Sequence, residues 1–317
     1  MVPDAAIETR ALRKEYGPVT ALDGLDLTVE RGEVFGFLGP NGAGKSTTID
    51  VLLDFVRPTG GEVRVLGRDP QAESRAVRER LGVLPEATGF YDRDTARDHL
   101  RFACAMKRAE SDPDALLDRV GLVHAADRPV GGFSKGMRKR LGLAIALVDD
   151  PDLLILDEPL GGLDPSGARL LRQVVREERD RGAAVFFSSH IMDQVETVCD
   201  RVGILHEGRL VAVGTVGSLR ARSASDSTVA LAVDRLPEEV VDDLEALGGV
   251  ADARARDGAV EVECTAPTAK AEVVAALDAA GAVVTDVDTN APSLEEVFVS
   301  LTADPERDDV GRRVGEP

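Results

Sequence analysis

The residues GPNGAGKST at positions 39–47 carry the most legible chemistry in this chain of 317 residues. They satisfy G-x-x-x-x-G-K-[ST], with an apolar strand-like segment, EVFGFL, before them and a helical pattern after them. Gly39, Gly42 and Gly44 let successive backbone N–H groups converge on phosphate oxygens, and the helix N-terminus adds partial positive charge at the same point. Pro40, Asn41 and Ala43 complete the loop, and Thr47 follows its hydroxyl residue. Lys45 is placed to bridge β- and γ-phosphates, and Ser46 to hold Mg²⁺. A glycine-rich turn with a chance lysine would leave that strand-before, helix-after context unexplained. The loop therefore reads as a nucleotide site.

A second group of residues gains meaning from the first. The apolar run LLILD (153–157) ends in Asp157, and Glu158 follows directly. A strand delivering an acid to Mg²⁺, with a neighbouring carboxylate polarising the attacking water, is how P-loop proteins hydrolyse phosphoanhydrides. Alone, such a pair is an ordinary solvated strand end. His190 closes another apolar run, AAVFFSSH, where ligand-contacting groups collect in open parallel sheets. It is a candidate sensor of the γ-phosphate.

The elements that must hold these groups follow from periodicity. Residues 7–35 alternate in strand fashion with glycine turns, and a helix is expected over Lys45–Phe55. Residues 92–148 read as mainly helical, with breaks at Asp112-Pro113 and Gly131-Gly132. The unbroken strand 153–157, a helix from Ser166 to Arg181 and the strand ending at His190 signal a sheet covered on both faces. The short strands VGIL and RLVAVG close this domain, and the small, polar segment 218–227 marks a boundary. Beyond it the expected order is strand 228–233, helix 237–246, strands 249–255 and 259–264, helix 267–280 and strand 282–288. That βαββαβ order matches a ferredoxin-like unit. A helix at 293–302 precedes a charged tail, 303–317, expected to be disordered.

Taken in this order, the motifs resemble the ATP-binding subunit of ATP-binding-cassette (ABC) transporters. The deciding segment is FSKGMRKRLGLA (133–144), which looks like that family's signature loop opening a helix. The resemblance implies that Ser134, Lys135 and Gly136 contact the γ-phosphate held by a second copy, so that two chains enclose two ATP molecules. It also implies that Tyr16 stacks on adenine and that Asp164, in LGGLDP (160–165), lies on the dimer interface. Glu158 takes the place of the catalytic carboxylate and His190 that of the switch histidine. Where the family usually has Gln after the strand LGVLP (81–85), this chain has Glu86, which can ligate Mg²⁺ but cannot donate as an amide does. FSKGM, LPE and the C-terminal SLEEVFVSLT resemble the ABC-2-type exporter branch, which includes drug-efflux and sodium-efflux systems.

The implied fold is an α/β P-loop cassette over 5–220: a RecA-like core, an antiparallel β subdomain and a helical subdomain near 87–148. A small α+β accessory domain over 228–302 follows. The implied cofactors are ATP and Mg²⁺, and the implied partners are a membrane-spanning permease and a second copy of this chain. The expected location is the cytoplasm, on the inner face of the cell membrane.

Composition narrows the field. Asp and Glu outnumber Lys and Arg by 57 to 38, a formal charge of −19, which disfavours a general grip on nucleic acid. Only six of the basic residues are lysines, and an acidic, lysine-poor surface suits a halophile, with a high-GC genome as the alternative source of the bias. Cys104, Cys199 and Cys264 sit far apart and read as reduced core thiols. No signal-peptide pattern opens the chain, and its longest apolar run, Gly142–Val148, is far short of the ~20 residues of a membrane span. A soluble ABC ATPase acting on ribosomes or chromosomes is the rival. The single P-loop and the short interval from Lys45 to Asp157, without sustained heptads, argue against it. A kinase or GTPase leaves 133–144 and His190 unexplained.

Overall fold

The computed structural model describes residues 5–223, 227–235, 240–256, 259–266, 268–290 and 293–302. The chain divides into two compact units, 1–213 and 214–317.

The first unit opens with β1 (Ala5–Tyr16), β2 (Val19–Glu30) and β3 (Val34–Leu38), then α1 (Lys45–Leu52) and β4 (Gly60–Val65). Next come α2 (Ser74–Arg78), β5 (Leu81–Leu84), α3 (Ala96–Lys107), α4 (Pro113–Arg119) and α5 (Lys135–Ala146). β6 (Leu153–Asp157), α6 (Pro165–Asp180), β7 (Ala184–Ser189), α7 (Met192–Glu196), β8 (Arg201–His206) and β9 (Arg209–Gly214) complete it. α1 is shorter than expected: Leu53 caps it and Asp54 turns into the left-handed region at φ 57°, so the chain leaves the helix before Phe55.

β5, β6, β7, β3 and β8 run parallel in one sheet, with β9 at its edge. Every residue of β3 and β7 is buried, as their unbroken apolar runs require of strands covered on both faces. Phe35, Phe37 and Phe186 meet in this core, with ring centroids 5.1 Å apart for Phe37 and Phe186. β2, β1 and β4 form a separate antiparallel sheet.

Register decides where the chemistry gathers. Leu38 pairs with Ser189 and Asp157 with Ser188, so β3, β6 and β7 end at one edge of the sheet. The loop after Leu38, the Asp157–Glu158 pair and His190 all leave from that edge, which is where ligands bind in open parallel sheets.

The second unit begins with α8 (Val216–Ser223). This helix occupies the first residues of the segment read above as a polar boundary, so the division falls earlier, after Val213. It packs with α11 (Leu294–Thr302). Between them lie β10 (Ser227–Val233), α9 (Val240–Glu245), β11 (Val250–Arg256), β12 (Ala259–Cys264), α10 (Ala269–Ala279) and β13 (Val284–Asn290). The four strands form an antiparallel sheet in the order β11-β12-β10-β13, over a core that includes Leu231, Val260, Val262, Val273 and Leu277. The expected disordered tail, 303–317, lies outside the described residues.

Candidate functional site

A cleft of about 210 Å³ opens at the sheet edge, lined by Asn41, Gly42, Gly44, Lys45, Ser46, Thr47, Glu86, Asp157, Glu158 and His190, with Ala21 from β2. The loop at its base needs its glycines. Gly44 has φ 111°, and a side chain there would put its Cβ 2.7 Å from the Ala21 carbonyl oxygen. At Gly39 the constraint is contact alone, since a Cβ would lie 2.4 Å from the Leu205 carbonyl oxygen.

Lys45 begins α1 and is buried, 7% exposed. Its ammonium donates to the carbonyls of Gly39 (2.7 Å) and Pro40 (3.2 Å) and stands 3.9 Å from Glu158 Oε1. Burial lowers its pKa, while Glu158, Asp157 and Glu86 pull the other way. The cleft therefore sets one buried cation among three carboxylates.

The acids are held by β7. Ser188 Oγ donates to Asp157 Oδ1 across 2.5 Å and accepts from the Glu158 N–H at 3.2 Å. Glu158 has φ 46°, a left-handed conformation unusual for a side chain larger than glycine, which turns the chain sharply off the end of β6. Its Oε1 then lies 2.8 Å from His190 Nδ1. A carboxylate and an imidazole in hydrogen-bond contact at the mouth of a phosphate loop can orient a water and stabilise charge on a phosphoryl group.

Mg²⁺ takes oxygen ligands and uses one or two carboxylates together with substrate phosphates. Ser46, Asp157 and Glu86 supply that oxygen donor set around one cleft. Among the described residues no group of three or more His, Cys, Asp or Glu could hold a metal by itself.

Other expected site residues do not line this cleft. Tyr16, at the end of β1, is 45% exposed with the Lys14 ammonium 4.6 Å from its ring centroid. Ser134 is exposed and caps α5, its Oγ accepting from the Met137 N–H. The Lys135 stem lies over Gly162, where a Cβ would come within 2.7 Å of Lys135 Cδ, and Gly136 faces the same loop. Asp164 caps α6 through the Gly167 N–H, a bond that holds its carboxyl below the usual range. Ser134, Lys135, Gly136 and Asp164 thus gather on a second surface rather than around Lys45.

Two residues escaped the sequence reading. Ser188 could have been noticed as a polar residue inside an apolar strand, since it is fully buried. Lys139 is 5% exposed and donates to the carbonyls of Pro85, Glu86 and Asp157; burial lowers its pKa against the pull of Asp157, Glu86 and Glu158. Its only sequence signal is a lysine three residues before Gly142 on a helix that packs on β5.

The family model for ABC transporters matches residues 22–161, the stretch that contains the phosphate loop, the signature-like segment and the Asp157–Glu158 pair. The daunorubicin resistance ATP-binding protein DrrA3 of Streptomyces coeruleorubidus is 36% identical over 96% of this chain and 98% of its own length. The chain belongs to the ABC transporter family. The bacitracin transport ATP-binding protein BcrA of Bacillus licheniformis is 41% identical, over 65% of this chain and 68% of its own. A solved ATP-binding subunit of an ABC transporter superposes with a TM-score of 0.64 at 31% identity, covering 69% of this chain and 93% of that one. This ABC protein is an ATP-binding subunit of the ABC-2 exporter branch and an ATPase, and its fold is the ABC cassette. This ABC subunit powers a separate permease; no helix among its described residues is long and apolar enough to cross a membrane.

Proposed function

We propose that two copies of this chain close head-to-tail around two Mg²⁺–ATP and drive export through that permease from the inner face of the membrane. The observation that carries the reading is the division of the site into two surfaces. Lys45, Glu158 and His190 line one cleft. Ser134, Lys135, Gly136 and Asp164 stand apart from it and have no phosphate to bind in their own chain. A helix N-terminus with an exposed serine is an anion site, and a two-fold pairing would bring it to the partner's γ-phosphate.

In the closed pair, Lys45 and the backbone of the phosphate loop hold the β- and γ-phosphates. Glu158 takes up the attacking water and orients it in line, while His190 fixes the Glu158 carboxylate and meets the charge that develops on the γ-phosphoryl group. Ser46, Asp157 and Glu86 would hold Mg²⁺, which supplies charge neutralisation between the phosphates. Loss of the bridging phosphate weakens the contact between copies, so the pair reopens. Tyr16, exposed at the end of β1, would stack on the adenine. The antiparallel sheet order of the second unit supports reading it as a ferredoxin-like accessory domain. The relatives named for bacitracin transport and daunorubicin resistance support export.

The test is an affinity capture of this chain from detergent-solubilised membranes of its own host in high salt. A multi-span protein recovered at near-equal stoichiometry supports the reading. Recovery with ribosomes or chromatin, or only as a soluble pair, overturns it while leaving the ATPase intact.

A further inference from the structure

The loop that carries Glu86 and the strand end that carries Asp157 must be held in register for both side chains to serve one site. β5 and β6 pair in parallel, with Leu84 opposite Leu156, so the residues just beyond them are neighbours. Nothing in the ladder extends past that pair. α5 lies hard against β5: a Cβ at Gly142 would fall 2.7 Å from Leu84 Cδ1, and one at Gly82 would fall 2.1 Å from the Ala146 carbonyl oxygen. Those contacts set how far the helix can slide. Lys139, one turn before Gly142, then reaches just beyond the strand ends.

Its ammonium is 3.4 Å from the Pro85 carbonyl oxygen, 3.2 Å from that of Glu86 and 3.4 Å from that of Asp157. Among the described residues its hydrogen-bond partners are these three main-chain oxygens and no carboxylate. Three donors on a compact, rotatable cation match three converging acceptors; the planar guanidinium fork does not. That distinction matters in a chain with 38 basic residues of which six are lysines. Lys107 is a second such case, donating to the carbonyls of Leu81 (2.7 Å) and Val148 (3.0 Å) near the other end of β5.

We propose that Lys139 is a positioning residue for ATP hydrolysis: it ties the backbone of Glu86 to that of Asp157 and fixes both to the helix that Ser134 opens. The inference rests on the ATPase reading of this cleft. Lys107 has the same chemistry at the opposite end of β5 and serves as the internal control.

The experiment compares the full chain with Lys139→Met, Lys139→Gln and Lys107→Met. ATP turnover is measured alongside Mg²⁺-free binding of a fluorescent ADP analogue and hydrogen exchange of the amides at 84–90. Lys139→Met is expected to lower kcat about 10- to 100-fold, as a misplaced constellation does. The KM for ATP, and the affinity and stoichiometry of the ADP analogue, are expected to hold within about twofold. Exchange at 84–90 rises. Lys139→Gln, which keeps two N–H donors, recovers most of the turnover. Lys107→Met leaves kcat and the 84–90 amides unchanged. A Lys139→Met chain with kcat within about twofold of the parent, or one whose loss matches a loss of nucleotide-binding sites, overturns the proposal. If the parent chain binds the ADP analogue but does not hydrolyse ATP, the ATPase reading fails, and the exchange result still decides whether Lys139 holds the loop.

Discussion

Ser188 and Asp157, paired across β7 and β6, share a 2.5 Å hydrogen bond, and the same serine oxygen accepts from the Glu158 N–H. One hydroxyl therefore orients the carboxylate that would meet Mg²⁺ and the backbone of the one that would orient water. Ser188→Ala removes the donor from Asp157 and leaves the fold's apolar core intact. The Mg²⁺ concentration for half-maximal ATPase activity is expected to rise about 3- to 10-fold, consistent with the loss of an outer partner of a metal ligand. A magnesium titration of turnover reads this directly; an unchanged midpoint would show that Asp157 is held by other means.

Glu158→Gln is expected to abolish turnover and to trap an ATP-bound pair, because the amide fills the same space but takes no proton from water. Size-exclusion chromatography with Mg²⁺–ATP shows the pair, and full hydrolysis by this variant would remove Glu158 from the mechanism.

His190 and Glu158 touch, so their effects should overlap. His190→Ala alone is expected to lower kcat about 10²-fold or more, and adding it to Glu158→Gln should lower turnover little further. A double variant in which the two losses simply multiply would mean that the residues act independently.

Gly44→Ala tests the loop's geometry. The residue has φ 111°, and the new Cβ would meet the Ala21 carbonyl and the Leu22 side chain at 2.7 and 2.9 Å. Backbone strain of roughly 1–3 kcal/mol per residue and overpacking of similar size act together here. Nucleotide binding is expected to be lost, with a lower Tm, as calorimetry and ADP-analogue titration would show.

Asp50, on α1, has its pKa raised first by burial and then by Asp157. A carboxyl whose folded pKa lies above its unfolded value binds its proton more tightly in the folded state. Its stabilising contribution is present at low pH and is lost as pH rises through the folded pKa. Asp50→Asn should therefore raise Tm at neutral pH by about one or two degrees, a small effect because the site is partly solvated. The gain should shrink as pH falls toward the ordinary aspartate range near 3.8. Melting curves at several pH values check the sign.

The contiguous motifs were legible in the sequence because their chemistry is local. Nine adjacent residues make the phosphate loop, and an apolar run ending in two acids reads as a buried strand with a polar end. The strand–loop–helix order was enough to indicate an α/β sheet and the alternation of residues 7–35 to indicate strands, whereas the separate antiparallel sheet came only with the family resemblance. Helix ends were less legible: Leu53 and Asp54 leave α1 through backbone angles that no residue type there announces. The helix at 216–223 was hidden by a composition that reads as linker.

Tertiary structure decided what sequence distance conceals. Ser188 meets Asp157 through the register of two parallel strands, and Lys139 reaches Glu86 because glycine contacts seat α5 on β5. The left-handed turn at Glu158 brings its carboxylate to His190, and the caps of α5 and α6 hold Ser134 and Asp164 away from the cleft. Motif chemistry is set by neighbours in the chain, whereas these relations depend on how far one packed element stands from another, a distance that no local pattern encodes.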